Sequence, residues 1–507
     1  MRTTAHDRPA DRAIGIIGLG YVGLPLAVAF AEAGLTVTGI DVDCGRLEAL
    51  RTGVSPIVDV SRERLSSALA HGLAVAEPSA AVIRACDVVF VCVPTPIDEA
   101  KDPDLGPIRA AARSIAQGLR AGQLIVLQST SYPGTTMGPF REELERCGLR
   151  AGTDFDLAFA PERISPGDPG SGTSAVPRLV GGNTPSATER AARLLQRISD
   201  RVIPMSSPDA AEMAKLLENV FRNVNVALVN QLALLCERMG LDVWEVIDGA
   251  ATKPFGFMRF TPGPGVGGHC IPVDPYYLAW RARQFDFVDR FVETAGDINL
   301  AMPRHTVDLA AAALNDRQRS LSGSRVGVVG VAFKPDVGDA RNSPAAAILG
   351  LLAERGALVS YHDPHVATFR DDHGNEHASA PLEDLLDGSD LVVVVTAHRA
   401  IDWDLLFERA DLILDTVNCS KGRALRPRQV LRLGGGWTVQ AADPLTARAT
   451  FSSATTTKVY RRPKRRHVTT RSSQRRSSGR VGRRPIAAAE STSPARSSGP
   501  KIRMGTP

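Results

Sequence analysis

Short apolar runs separated by glycine-rich turns dominate the first part of the chain. Residues 13–18 form one such run, an alanine-rich segment then extends to Gly34, and residues 36–40 form a second run. This order predicts a strand, a turn, a helix and a second strand. Further apolar runs, each followed by a loop with proline or glycine, end at Val93, Thr130 and Phe159. Roughly the first 200 residues therefore predict a parallel sheet flanked by helices, which binds ligands at the carboxyl ends of its strands.

The pattern changes between residues 209 and 239, where helix breakers are nearly absent and apolar side chains recur every three or four positions. This spacing predicts one long amphipathic helix that starts after Ser207-Pro208 and ends at Gly240. At 1.5 Å per residue the helix is roughly 45 Å long, so we expect it to join domains and to contact a second subunit. Its apolar positions are Met213, Leu216, Leu217, Val220, Val224, Ala227, Leu228, Leu232 and Leu235.

A second unit of the first kind begins at residues 325–330, and later apolar runs occupy residues 357–361, 391–396 and 412–415. The expected fold is therefore α/β, with two Rossmann-like parallel-sheet domains joined by a central helical region with one long helix. We assign the first sheet domain to residues 1–205, the helical region to 206–310, the second sheet domain to 311–446 and a basic tail to 447–507.

Composition indicates a water-soluble protein. The chain has 507 residues, of which 43% are hydrophobic and 23% are charged. It contains no apolar run long enough to cross a membrane, and its amino terminus is polar, so we expect a cytoplasmic protein without membrane attachment.

Charge is distributed unevenly along the chain. Residues 447–507 hold 16 of the 60 Lys and Arg residues but one of the 55 acids, which leaves an acidic body and a basic tail. The tail is expected to be disordered. Nucleic-acid or anionic-membrane contact is one interpretation of its charge, but a solvated extension is favoured because no folded recognition module accompanies it.

Seven cysteines are scattered along the chain without the close spacing of a zinc or redox motif, so neither a disulfide nor a metal is expected. One of them, Cys270, follows a glycine- and proline-rich loop that starts at Thr261, and Asp274 follows it by four residues. Glycines allow the backbone to approach a ligand closely, so a reactive thiol is one interpretation. An ordinary buried cysteine in a turn is the other.

A G-x-G-x-x-G motif lies between the first predicted strand and helix. It consists of Gly18, Gly20, Tyr21, Val22 and Gly23. Its glycines permit a tight turn and close approach of a pyrophosphate to the helix amino terminus. Asp41 ends the next strand, where a carboxylate accepts hydrogen bonds from a ribose hydroxyl and repels a 2′-phosphate. The motif therefore predicts NAD rather than NADP, with Arg46 close enough to reach the pyrophosphate or, as a less favoured alternative, a 2′-phosphate.

Three polar residues are candidates for chemistry. Lys215 and Asn219 are four positions apart on the long helix, so they share a face and together can stabilise an oxyanion. Glu162 follows a predicted strand at the edge where ligands bind, which makes it a candidate base. A solvated helix face and a surface acid are the alternative interpretations.

A series of short motifs runs along residues 13–445. Besides the glycine loop, Lys215 and Asn219, they are Val93-Pro-Thr-Pro96, Ser129-Thr130 with Pro133-Gly-Thr135, Pro161-Glu-Arg163, Gly267-Gly-His-Cys270 and Ala332-Phe-Lys-Pro-Asp336. In this order they resemble the UDP-glucose/GDP-mannose dehydrogenase family. The resemblance implies an NAD-dependent four-electron oxidation of the C6 alcohol of a UDP-sugar to a carboxylate. It further implies a thiohemiacetal and a thioester on Cys270, and a product that serves surface-polysaccharide synthesis.

The resemblance also implies a role for individual residues. The catalytic group is Cys270, Lys215, Asn219, Asp274, Glu162 and Thr130. The NAD contacts are Gly18, Gly20, Tyr21, Val22, Gly23, Asp41, Arg46, Val93, Pro94, Thr95, Thr130 and Arg341. The UDP-sugar contacts are Glu162, Arg163, Lys215, Asn219, Lys253, Arg259, Gly265, Gly267, Phe333 and Lys334. A homodimer or a larger homo-oligomer is expected.

The motifs indicate the family more strongly than they indicate which sugar the chain oxidises. Residues 251–257 and 131–134, together with His269, resemble most the members that oxidise UDP-N-acetyl-D-glucosamine; UDP-N-acetyl-D-mannosamine and UDP-glucose are the alternatives. Two positions depart from the family pattern: Val417 replaces a usual arginine, and Gln128 stands where a glutamate is common. Two other functions stay open, a one-step β-hydroxyacid-type NAD dehydrogenase that needs no thiol and a nucleotide-sensing binding protein.

Overall fold

The first sheet begins with the strand predicted at residue 13. The computed structural model describes residues 11–57, 59–98, 100–163 and 176–438. The sheet's strands are β1 Ala13–Ile17, β2 Thr36–Ile40, β3 Leu73–Ala76, β4 Val88–Val91, β5 Leu124–Leu127, β6 Asp156–Phe159, β7 Arg178–Gly182 and β8 Val202–Pro204. They lie in the order β3-β2-β1-β4-β5-β6-β7-β8. The core strands are buried on both faces, as their continuous apolar runs predict.

Helices cover both faces of this sheet. They are α1 Gly23–Glu32, α2 Cys44–Arg51, α3 Arg62–Ala70, α4 Ala80–Ala85, α5 Gly106–Gly118, α6 Arg141–Leu144 and α7 Pro185–Leu195. A π-helical turn at Thr136–Phe140 precedes α6, and a short 3-10 turn at Glu145–Cys147 follows it. The predicted order of strand, glycine turn, helix and strand over residues 13–40 is confirmed by β1, α1 and β2.

The sheet is mixed rather than wholly parallel. Strands β6 and β7 pair antiparallel, with Ala158 opposite Gly182, whereas β7 and β8 pair parallel. Antiparallel neighbours need no crossover helix, but α7 supplies one between β7 and β8. The last two strands therefore run against the direction of the other six.

The central region contains α8 Pro208–Met239, α9 Val243–Ala251, α10 Asp274–Arg283 and α11 Arg290–Asn315. The predicted long helix is confirmed as α8: Ser207 Oγ accepts the N–H of Ala210 at its start, and Gly240 ends it with φ 68°. Helix α11 is a second long helix, which sequence analysis missed because Pro303 lies inside it. It also continues through residue 310, where the predicted boundary falls.

Polar and apolar residues share the buried face of α8. Several predicted apolar positions are exposed, such as Leu217 at 62% and Leu228 at 61%, whereas Leu216 and Ala227 are buried. The buried side also carries a polar stripe at helical spacing, formed by Glu212, Lys215, Asn219, Asn223 and Asn230. Burying charged and amide groups costs free energy unless each is paired, so this stripe requires partners in the elements packed against α8.

The strands of the second sheet domain are β9 Arg325–Val329, β10 Leu358–His362, β11 Thr368–Arg370, β12 Glu376–Ala378, β13 Leu391–Val394, β14 Ile413–Asp415, β15 Val430–Arg432 and β16 Gly436–Trp437. The second sheet has the order β10-β9-β13-β14-β15-β16. Strands β11 and β12 form a separate antiparallel hairpin. Its helices are α12 Pro344–Glu354, α13 Leu382–Gly388 and α14 Trp403–Arg409. Four strands were predicted, and β9, β10, β13 and β14 confirm them. The sheet is parallel except at its β15–β16 edge.

The predicted basic tail, residues 447–507, lies outside the described residues. Among the helices that the structure describes, none combines the length and the apolar character needed to cross a lipid bilayer.

Candidate active site

The glycine loop after β1 has the geometry that a bound pyrophosphate needs. Gly18 has φ +90°, and a Cβ there would lie 2.4 Å from the carbonyl oxygen of Cys92. A Cβ at Gly23 would lie 1.8 Å from the carbonyl oxygen of Gly18, so α1 begins in close contact with the loop. A Cβ at Gly20 would meet nothing within 4 Å, which leaves the loop open to a ligand. These residues fit a dinucleotide at the amino terminus of α1.

Asp41 lies at the end of β2, where sequence analysis placed a ribose contact. Its Oδ2 accepts the N–H of Leu19 at 2.8 Å and Arg46 Nη1 at 3.1 Å, and its Oδ1 accepts the N–H of Asp43 at 3.0 Å. Burial alone would raise the pKa of Asp41, but these hydrogen bonds outweigh it and hold the pKa below its usual value. The carboxylate is therefore ionised, and Arg46 pairs with it.

The loops after β4 and β5 are tied together at the same edge of the sheet. Ser129 Oγ donates to the carbonyl oxygen of Val93 at 2.7 Å. The Tyr277 hydroxyl, from α10, donates to the carbonyl oxygens of Thr95 and Pro96, the latter at 3.0 Å. Thr130 is half-buried directly after Ser129. The predicted NAD contacts at residues 93–95 and 130 therefore lie in one anchored group of loops.

The Cys270 loop is packed against the second sheet. A Cβ at Gly267 would lie 2.9 Å from the carbonyl oxygen of Asn342, and one at Gly265 would lie 2.8 Å from Pro344 Cβ. Asn342 Nδ2 also donates to the carbonyl oxygen of Gly268 at 3.1 Å. The glycines thus allow the thiol-bearing loop to reach the second sheet.

Polar residues of α8 meet the start of α10 beside this loop. Asn219 Nδ2 donates to Asp274 Oδ2, and Arg222 donates to Asn219 Oδ1. The backbone N–H of Asp274 donates to the carbonyl oxygen of Cys270 at 2.8 Å. Lys215 is 6% exposed and acts electrostatically on both Cys270 and Asp274. The predicted thiol, cation, amide and carboxylate are therefore brought together.

The protonation of this group suits proton transfer near neutral pH. Cys270 is exposed as a residue, yet its thiol is closely surrounded: burial raises its pKa and Asp274 raises it further, whereas Lys215 and Arg222 oppose both. Burial raises the pKa of Asp274 to about 6, against the opposing effects of Lys215, Asn219 and Arg222. A carboxyl that titrates near neutral pH can both hold and release a proton during catalysis.

A chain of buried asparagines connects α8, α11 and the Cys270 loop. Asn299 Nδ2 donates to Asn223 Oδ1 at 2.8 Å, and Asn230 Nδ2 donates to Asn299 Oδ1 at 2.9 Å. Asn230 Oδ1 then accepts the N–H of Gly263 at 3.0 Å. Each amide has a fixed orientation, so this hydrogen-bonded series of asparagines sets the position of the loop relative to α8.

Glu162 and Arg163 follow β6 at the same edge. Glu162 Oε2 accepts Gln128 Nε2 and Arg178 Nη1, each at 3.1 Å. Arg163 pairs with Glu218 at 2.6 Å, which connects this strand end to α8.

Phe333 and Lys334 follow β9, and a hydrogen bond connects their segment to the loop after β13, the neighbouring strand in the sheet. His398 Nδ1 accepts the N–H of Asp336 at 2.9 Å, and its Nε2 lies 3.0 Å from Asp363 Oδ2. Burial would raise the pKa of Asp363, but His398 and the backbone N–H groups of His365 and Ala332 lower it to about 2. Both ring nitrogens of His398 are therefore engaged within the chain, although it lies near the side chains of Asp336 and His365.

The side chains of Tyr21, His269 and Arg341 connect the two sheet domains at the Cys270 loop. The guanidinium of Arg341 lies 5.3 Å from the Tyr21 ring centre and pairs with Asp339 at 2.8 Å. The His269 ring lies 6.4 Å from that of Tyr21 and 5.8 Å from that of Phe333. The predicted NAD contacts Tyr21 and Arg341 are thus in contact across the two sheets.

Two predicted substrate contacts have other partners in the structure. The ammonium of Lys253 lies over the ring of Phe255, and Arg259 pairs with Asp248 at 2.7 Å. Val417, which departs from the family pattern, packs against the apolar core of the second sheet.

Sequence reasoning missed several polar residues of the site. Arg222 is three residues beyond Asn219, and its Nε is buried without a hydrogen-bond partner in the part of the chain that the structure describes. Glu212 lies one turn before Lys215; its carboxylate accepts the N–H groups of Gly134 and Thr136 and the hydroxyl of Thr136. The available signal was the helical spacing of polar residues from Glu212 to Asn223, because these residues lie on the same face of α8 as Lys215 and Asn219.

A dinucleotide loop on one sheet, a second sheet of the same kind and a thiol with paired polar groups between them define a nucleotide-dependent oxidoreductase. Three models of the UDP-glucose/GDP-mannose dehydrogenase family match this chain: the NAD binding domain at residues 12–199, the central domain at 209–301 and the UDP binding domain at 327–422. The chain belongs to this family, and its cofactor is NAD.

Individual relatives agree with this assignment. The UDP-N-acetyl-D-glucosamine 6-dehydrogenase of Pseudomonas aeruginosa is 36% identical over 391 residues, which cover 76% of this chain and 91% of the relative. The UDP-N-acetyl-D-mannosamine dehydrogenase of Pyrococcus horikoshii is 34% identical over 80% of this chain and 96% of its own length. A solved structure of UDP-D-ManNAc dehydrogenase from Pyrococcus horikoshii superposes with a TM-score of 0.76 at 32% identity, covering 84% of this chain and 99% of that one.

The raised pKa of Asp274 predicts a pH-dependent effect of Asp274→Asn on stability. Below pH 6 the folded protein holds the buried carboxyl neutral, and this contribution to stability is lost as pH rises through about 6. The free energy of unfolding of the variant, relative to the unchanged chain, should therefore increase by about 1 kcal/mol between pH 5 and pH 8. Urea titrations at both pH values measure the free energy of unfolding of the variant and of the unchanged chain.

Asp297→Asn is the matched control, because Asp297 is exposed on α11. It should show no such trend. A difference for Asp274→Asn that stays flat or falls between pH 5 and pH 8 would contradict the pKa assigned to the buried carboxyl.

Proposed function

We propose that this chain oxidises the C6 alcohol of UDP-N-acetyl-D-glucosamine to the carboxylate in two successive two-electron steps. The supporting observation is the placement of Cys270 beside Lys215, Asn219 and Asp274, at the junction of the dinucleotide loop and the second sheet. Gly18, Gly20, Gly23 and Asp41 of the first sheet would hold NAD, which would supply the hydride acceptor for each oxidation, one molecule per step. The residues of the chain then bind, orient and exchange protons with the sugar.

Cys270 is proposed to hold the intermediate aldehyde. Its sulfur adds to the aldehyde carbon and gives a thiohemiacetal, whose oxidation gives a thioester. Because burial and Asp274 disfavour the thiolate, loss of the thiol proton is assisted by the cations Lys215 and Arg222.

Lys215 and Asn219 are proposed to stabilise the negative oxygen that develops at C6. Both are buried, and the hydrogen bonds to Asp274 and from Arg222 fix the amide of Asn219, so it needs no rearrangement as the charge forms. Asp274, with a pKa of about 6, is suited to take and return the alcohol proton.

Glu162 is proposed to activate the water that hydrolyses the thioester, with Thr130 assisting from the neighbouring loop. The hydrogen bonds from Gln128, Arg178 and the backbone of Arg163 fix its carboxylate at the strand edge. Hydrolysis releases the sugar carboxylate and restores the thiol.

The nucleotide end of the substrate is assigned to the second sheet. A Cβ at Gly267 would lie 2.9 Å from Phe333 Cβ, so the loop lies against this aromatic side chain, and Lys334 is next in the chain. An aromatic ring followed by a cation suits a uracil base with its phosphates. Lys253 and Arg259 stay assigned to this end, which requires that substrate displace their present partners.

An N-acetylated sugar is supported by Arg222. Its buried Nε is a donor without a partner in the described part of the chain, next to the catalytic amide of Asn219, and an acetamido carbonyl can accept from it. The relative from Pseudomonas aeruginosa, named for UDP-N-acetyl-D-glucosamine, agrees with this choice. UDP-N-acetyl-D-mannosamine is the second candidate, because it carries the same acetamido group.

A substrate panel tests the sugar. NADH formation with UDP-N-acetyl-D-glucosamine should exceed that with UDP-glucose or GDP-mannose by about tenfold or more in kcat/KM, because a buried unpaired donor costs about 1–3 kcal/mol. UDP-N-acetyl-D-mannosamine carries the same acetamido group, so the rate ratio of the two N-acetylated sugars decides between the two candidates. Equal or greater activity on UDP-glucose would contradict the role given to Arg222.

Replacing the thiol tests the two-step mechanism. The unchanged chain should yield two NADH per sugar, whereas Cys270→Ser should lower kcat by about a hundredfold or more and yield no more than one. NADH absorbance against consumed substrate gives the ratio. Cys147→Ser, an exposed thiol, is the control and should keep both oxidations. Two NADH per sugar from Cys270→Ser at an unchanged rate would exclude the thioester.

We further propose that two copies pair along the exposed apolar stripe of α8. Met213, Leu217, Phe221, Leu228 and Leu235 recur at helical spacing and are all more than 40% exposed. The double variant Leu217→Glu with Leu228→Glu should halve the mass measured by light scattering. Ser186→Glu, at an exposed polar position of α7, should leave it unchanged. A monomeric unchanged chain would contradict this pairing.

A further inference from the structure

Gln128 is buried beside Glu162 at the carboxyl end of β5. The residue is 2% exposed, and its Nε2 donates to Glu162 Oε2 at 3.1 Å. The guanidinium of Arg178 donates to the same oxygen at 3.1 Å, and the N–H of Arg163 donates to the other oxygen at 2.8 Å. The carboxylate of Glu162 is therefore oriented from several sides.

A thiol fixes the direction of the Gln128 amide. Cys92, just after β4, donates its S–H to Gln128 Oε1 at 3.4 Å. Burial, and then the charge of Glu162, raise the pKa of Cys92, so the thiol stays protonated and acts as a donor. With its oxygen held by Cys92, the amide can present only its NH₂ group to Glu162.

Charged groups approach this carboxylate from three elements. Arg178 lies on β7, Arg163 is next in the chain, and Arg163 pairs in turn with Glu218 of α8 at 2.6 Å. Lys215 lies on α8 one turn before Glu218. Among these neighbours Gln128 adds a donor to Glu162 without adding a charge.

We propose that Gln128 is a positioning residue that keeps the carboxylate of Glu162 oriented for thioester hydrolysis. The inference rests on the function proposed above, in which Glu162 activates the water. A glutamate at position 128 would set a second carboxylate about 3 Å from the first, and such a pair retains one proton between them to a higher pH. The amide lets the base work at a lower pH than a carboxylate would.

Two variants of Gln128 separate charge from structure. In Gln128→Glu the acid limb of the pH profile of kcat should move up by about one to two pH units, because the shared proton blocks the base. Gln128→Met removes the donor without adding charge, so its acid limb should move much less than that of Gln128→Glu, while kcat falls about tenfold or more. With this variant, intact-mass measurement during turnover should show acyl-enzyme accumulating on Cys270.

The outcomes distinguish this inference from the proposed function. An unchanged chain that fails to give two NADH per sugar would overturn the proposed function itself. If it gives two, an acid limb that is the same in Gln128→Glu, or that moves equally in Gln128→Met, would overturn the role of the amide. Should Gln128→Glu not fold, a Gln128→Met protein that turns over at the normal rate without acyl-enzyme would overturn it equally.

Discussion

The polar stripe buried along α8 is the constraint on which the site depends. Charged and amide side chains are stable in such a place only if each finds a partner, and here the partners come from every other part of the site. Asn219 pairs with Asp274 of α10, Glu212 holds the turn after Thr130, and Asn230 reaches the thiol-bearing loop. Satisfying the hydrogen bonds of one helix thus also assembles the catalytic groups around it.

Apolar side chains of α8 lie on both of its faces. Leu216 and Ala233 are buried beside the polar stripe, whereas Leu217 and Leu228 are exposed on the outer face. The inner face is therefore held by hydrogen bonds and apolar packing together. The exposed stripe and the polar stripe of the candidate site thus belong to one helix, so the proposed pairing and the proposed chemistry both depend on it.

Sequence patterns predicted the fold well where a short segment carries its own signal. Apolar runs ending in glycine turns located β1, β2, β9 and β10, and an unbroken helical period located α8 between its serine cap and Gly240. They did not locate α11, because a proline interior to a helix is indistinguishable in sequence from a helix end. The reversal at β7 depends on strand pairing, which no local pattern encodes.

The residues of the candidate site were predictable from the sequence, but the hydrogen bonds that connect them were not. Gly23, Lys215 and Cys270 stand in recognisable motifs, whereas the contributions of Gln128 and Asn299 depend on neighbours more than thirty residues away in the chain. Periodicity identified which residues of α8 share a face but not which of them are buried. Long-range hydrogen bonds decide that, and they appear only in three dimensions.

Each sheet carries an aspartate at the end of its second strand, but the two carboxylates differ in their spare capacity. A carboxylate offers about four acceptor positions. Asp41 receives three donors, whereas Asp363 receives five, from Val331, Ala332, His365, Val366 and His398. A ribose diol can therefore find an acceptor at the first sheet and none at the equivalent place in the second. The saturated aspartate of the second sheet thus distinguishes two sheets of similar topology. A dinucleotide that needs a ribose acceptor does not compete for the site proposed for the UDP-sugar.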